Sequence, residues 1–133
     1  MRSSNQKDPL MTFDWITGPL AEGLHCYRTR QFFEAHEHWE SVWLTLCEPE
    51  KSFLQSLVQV SAAFHHLRRG NRIGAISLLA RALKRLDGCS AQFCCIDVAH
   101  LRYELRDWLT ALHDGSVDLP STYPEFRILD PSA

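Results

Sequence analysis

One stretch limits the fold more than any other. From Ser52 to Leu67 the chain reads SFLQSLVQVSAAFHHL, with no Asp, Glu, Lys or Arg. Phe53, Leu57, Val60, Phe64 and Leu67 recur at helical rather than strand spacing. The run is too short and too polar to be a membrane span. A helix without a charged face is one surrounded on most sides. The sequence therefore predicts an all-α fold, a compact single-domain bundle of about five helices with this helix buried at its centre.

The other helices are bounded by their caps. Pro19 suits a first helical position, and its helix runs to about Arg30. Gln31 to about Cys47 follows closely. Pro49 opens the central helix, which runs to Arg69 and is stopped by Gly70. Asn71 caps a helix reaching about Leu86, and Asp97 caps the last, which ends near Asp114-Gly115. Val98, Leu101, Leu105, Trp108 and Leu112 form one apolar stripe on that last helix, and Ile76, Leu79, Leu83 and Leu86 form another on the fourth. No strand-like alternation competes. Residues 1–16 read as an N-terminal extension, 17–115 as the bundle, and 116–133 as a proline-rich tail. Tyr123, Phe126, Ile128 and Leu129 would strap that tail onto the bundle.

A length of 133 residues suits one domain, and a hydrophobic content of 45% supplies an ordinary core. The formal net charge of −2 points to neither nucleic acid nor a membrane. The N-terminus lacks the apolar run of a signal peptide, so a soluble, cytosolic chain is expected. Five cysteines without framework spacing fit reduced thiols. Cys89, Cys94, Cys95 and His100 match none of the usual zinc spacings.

Chemistry concentrates in FFEAHEHWESVW, Phe32 to Trp43. On a helical wheel Phe32, Phe33, His36, Glu40 and Trp43 share one face, with Glu37 at its flank. His36 and Glu40 are neighbours one turn apart. On the central helix Gln55, Gln59, Ala62 and His66 form a second stripe, opposite the apolar line. A buried carboxylate without partners costs several kcal/mol. The two stripes are therefore expected to meet, giving one buried polar cluster of His36, Glu37, Glu40, Gln55, Gln59 and His66. Three readings stay open. The cluster is mainly structural and fixes helix register. It is a divalent metal site, with His36, Glu40 and His66 as ligands of a hydrolase-like enzyme. Or it is an acid/base or small-ligand site beneath a pocket. His25, His38, His65, His100 and His113 read as surface or partly buried groups rather than ligands, and the four tryptophans mostly as core or tail-packing residues.

Charge is distributed unevenly. Residues 51–86 hold no acid and seven bases: Lys51, Arg68, Arg69, Arg72, Arg81, Lys84 and Arg85. Arg68, Arg69 and Arg72 surround the Gly70-Asn71 turn and form a candidate anion or partner patch. Arg81, Lys84 and Arg85 form a second patch, about 15–20 Å further along the next helix. No nucleic-acid motif accompanies either. A second copy of the chain with a complementary acidic surface fits them equally, so a homo-oligomer is one expectation.

FFEAHEHWESVW, followed after a short gap by FLQSLVQVSAAFHHLRRGNRIGAISLL, resembles the domain-of-unknown-function family 309. The resemblance covers about residues 19–86. The family's pattern falls on Phe33, Glu34, His36, Glu37, Glu40, Trp43, Gln55, Gln59, His66, Gly70, Asn71, Gly74 and Ala75. The family usually has Gly after the first Gln, where this chain has Ser56. The resemblance implies a compact all-α bundle and no particular activity. It also implies that Gly74 is a position of close helix packing. Together these readings favour a binding or interaction domain over a metal-dependent enzyme.

Overall fold

The computed structural model describes residues 13–115 and 117–129. Among the described residues five helices carry the fold: α1 (Pro19–Arg28), α2 (Phe32–Trp43), α3 (Glu50–Arg68), α4 (Arg72–Asp87) and α5 (Val98–His113). They lie where the caps place them. Pro19 opens α1. Asn71 Oδ1 accepts from the Gly74 amide at 2.9 Å, and Asp97 Oδ1 from the His100 amide at 3.1 Å. Each satisfies a donor that a helix start leaves unpaired. Among the described residues no helix is long and apolar enough to cross a membrane.

The charge-free helix is central. Along α3, Phe53, Leu54, Ser56, Leu57, Val58, Gln59, Val60, Ser61, Ala63 and Phe64 are all buried. Its broadest packing is against α4, and it also packs on α2. The small buried residues of α4, Ala75 and Ala82, join Leu79 and Leu86 on the core side, while Ile76 and Leu83 sit at its edge. Ser56 is fully buried and turns its hydroxyl back onto the Phe53 carbonyl.

Strands were not expected, yet two short ones form among the described residues. β1 (Gln92–Phe93) and β2 (Ile96–Asp97) pair antiparallel through a two-residue turn, Cys94-Cys95. Both cysteines have positive φ, 52° and 65°. That is the backbone of a tight hairpin turn usually supplied by Asn-Gly, and Cys-Cys carries no such turn signal. This hairpin clasps two distant segments. Trp15 Nε1 donates to the Cys94 carbonyl at 2.9 Å, and the Leu129 amide donates to the Cys95 carbonyl at 2.7 Å.

Residues 1–12 of the expected extension and residues 116 and 130–133 of the tail lie outside the described residues. Phe13 and Trp15 pack into the core, Phe13 edge-on to Phe53. The tail is strapped down through Phe126, buried against Tyr27 and Trp39, while Ile128 stays exposed. Tyr27 Oη donates to the Pro124 carbonyl at 2.7 Å, and Trp108 Nε1 to Thr122 at 3.1 Å.

The expected role of Gly74 is corrected. A β-carbon there would meet the Asn71 side chain, so the glycine makes room for the cap rather than for a neighbouring helix. Close helix approach falls instead at Gly23 of α1, where a β-carbon would collide with the Trp39 indole.

Candidate functional site

The buried face of α2 is Phe32, Ala35 and Trp39. This turns the helix away from the expected orientation. Glu40 follows Trp39 by one residue and so lies about 100° round from it. Its side chain is 51% exposed, and Glu37 is exposed too. Of the two tryptophans on α2 it is Trp39 that takes the core position, against Gly23 and with its indole N–H on the Leu20 carbonyl at 3.1 Å. A single buried cluster containing Glu40 is therefore not what forms.

The contacts between α2 and α3 run through residues beside the expected stripes. Phe33 stacks over His36 and lies 5.3 Å from the His65 ring, and Lys51 sits 4.6 Å over Trp43. These contacts place α2 antiparallel along one side of α3. On the other side Arg85 Nη1 donates to Ser52 Oγ at 2.9 Å, and Asn71 bonds His66 at 3.1 Å, placing α4. Between these walls runs the Gln55, Gln59, Ala62, His66 stripe. Gln55 and Ala62 are the only residues of α3 from Phe53 to Phe64 that are not buried, so the stripe is the floor of an open trough.

Two buried side-chain atoms, His36 Nδ1 on α2 and Gln59 Oε1 on α3, have no hydrogen-bond partner among the described residues. Gln59 is 7% exposed. His36 is 27% exposed, and its Nε2 lies 3.9 Å from Glu40 Oε2, too far for a hydrogen bond. Gln59 also lines a recess of about 310 Å³ with Arg81, Lys84 and Arg85 of α4. The sequence marked these three bases as a patch but gave no sign that an amide of α3 completes it.

Other expected groupings separate. His66 is turned to Asn71, on the α4 side, and Glu40 is turned to solvent. The proposed ligand set of His36, Glu40 and His66 is thereby broken up. Among the described residues no three His, Cys, Asp or Glu are placed to hold a metal ion. The five cysteines are free, and burial pushes the Cys94 thiol upward. The Arg68, Arg69, Arg72 patch is also largely spent on structure. Arg68 donates to the Arg30 carbonyl at 2.7 Å, and Arg72 donates twice to the Leu112 carbonyl at the C-terminal end of α5. Arg69 remains exposed beside His65. His65 is half-buried against Phe33. Burial holds its pKa below the ordinary value, and Arg69 and His66 push the same way.

These features define an all-α domain with a polar trough along its central helix. Residues 20–78, which carry both walls of the trough's upper part and its whole floor, match the family model described as "Domain of unknown function (DUF309)". The resemblance carried by the α2 and α3 motifs is thus shown. An uncharacterized protein of Aquifex aeolicus (strain VF5) is 29% identical over 98 residues, covering 73% of this chain and 29% of that protein. The chain therefore spans less than a third of that relative's length.

Proposed function

We propose that the domain is a ligand-binding module whose site is the trough over α3. One observation carries this reading: Gln59 Oε1 on the trough floor and His36 Nδ1 on the α2 side are buried without partners among the described residues. An orphaned buried polar group costs about 1–3 kcal/mol. A polar network that served only to fix helix register would pair its members, because that is what makes such networks stabilising. Groups left unsatisfied are instead typical of sites that trade stability for recognition.

The test is stability against recognition. Gln59→Met and His36→Leu remove the orphaned polar atoms while nearly keeping volume. On this reading both variants keep or raise the melting temperature of the free protein. A clear fall in both would mean that the cluster is a structural pin and would remove the basis for the site.

A further inference from the structure

Resting on that reading, the geometry points to a small organic phosphate bearing hydroxyl donors as the ligand, with its phosphate on Arg81, Lys84 and Arg85 and a hydroxyl on Gln59. We infer this from the composition of the recess rather than from charge alone. Arg81 and Arg85 are one helical turn apart and Lys84 flanks them, so the three cations converge on one side of the trough. None of the three is ion-paired with a carboxylate among the described residues. Arg85 is oriented by its bond to Ser52 Oγ, which fixes one guanidinium beside the opening. Guanidinium and ammonium groups together suit a phosphate, by bidentate and point-charge contacts respectively.

The second, independent feature is Gln59. Its side chain lines the same recess, is more than nine-tenths buried, and presents an unpartnered Oε1. That atom accepts and cannot satisfy a bare anion. It calls for a donor held a short distance from the anionic group, as a hydroxyl of a phosphate monoester is. The α4 side thus selects for negative charge, and Gln59 on the α3 floor selects for a hydroxyl or amine donor.

The experiment is a titration of the ¹⁵N-labelled full chain with inorganic phosphate, with glycerol 3-phosphate and with glycerol, at matched ionic strength. The expected result is that both phosphates shift the Arg81–Arg85 amides, that glycerol 3-phosphate also shifts the Gln59 side-chain amide, and that it binds several-fold tighter. Arg81→Glu and Lys84→Glu should weaken both phosphates by on the order of tenfold. Gln59→Met should bring the ratio of the two affinities toward one. Arg85 is left alone because it also holds Ser52. The assignment is overturned if neither phosphate moves these resonances, or if the charge reversals change nothing. Should glycerol alone shift Gln59 and His36 while the phosphates do not engage α4, the phosphate assignment fails and the binding trough stands. The binding reading itself falls on the separate stability test of Gln59→Met and His36→Leu.

Discussion

The Trp39 indole packs directly on the backbone of Gly23, in the space a side chain on that residue would occupy. This contact sets the distance between α1 and α2 and fixes the rotation of α2, which decides where His36 and Glu40 point. Gly23→Ala forces either the indole or the helix to move, and overpacking of this kind costs about 1–3 kcal/mol. Chemical denaturation should show a loss in that range. A variant as stable as the parent would mean that the indole shifts freely and does not set the rotation of α2.

Glu40→Ala is expected to be nearly silent, within about 0.5 kcal/mol, because the carboxylate is half in solvent and only loosely paired with His36. A buried carboxylate would behave in the opposite way, and removal of its partners would be costly. A drop of several degrees in melting temperature would restore the buried-cluster view.

The tail should act as a structural part of the core. Phe126→Ala removes a fully buried ring from between Tyr27 and Trp39 and is expected to cost about 3–5 kcal/mol. Tyr27→Phe removes only the bond to the Pro124 carbonyl, worth about 1 kcal/mol. Equal effects from both would indicate that the ring contributes little beyond that hydrogen bond.

His65 ties stability to pH. Its pKa is lowered in the fold by burial, aided by Arg69, His66 and His36 and opposed by Glu34. Above its ordinary value of 6.5 the imidazole is neutral in both states and the contribution is complete. As the pH falls through that value the unfolded chain takes up a proton that the folded chain resists, and stability is lost until the pH passes below the folded value. His65→Gln should therefore show a shallower decline in melting temperature between about pH 7 and pH 5 than the parent. Parallel declines would place the pH sensitivity elsewhere.

Cys95 stands at φ 65°, a left-handed conformation that costs an L-residue about 1–2 kcal/mol and glycine almost nothing. Cys95→Gly should raise stability by about 1 kcal/mol once the lost thiol contact is deducted. A decrease would show that the half-buried side chain outweighs the backbone gain.

Most of the fold could be read from the chain. The absence of charge from Ser52 to Leu67 identified the central helix, and the caps Asn71 and Asp97 fixed two helix starts. The hairpin was illegible because Cys-Cys carries none of the usual turn chemistry and its strands are too short to alternate. The polar residues of the helix faces were legible, but the rotation of those faces was not. Periodicity placed His36 and Glu40 on one face, but it could not weigh Trp39 against Trp43 for the core, and that choice moves Glu40 by a quarter turn or more into water. The pairing of Gln59 with Arg81, Lys84 and Arg85 depends on how α4 docks, which no spacing within either helix reveals. Gly23 was missed because a lone glycine in a helical pattern gives no clue to what presses on it.

The hairpin that holds Trp15 on one cysteine carbonyl and Leu129 on the next has a mechanical consequence. A pull applied to the two flanking segments would load this small buckle before it reached any helix. The chain would then yield by unclasping its ends, with the bundle still intact, rather than by tearing through its centre.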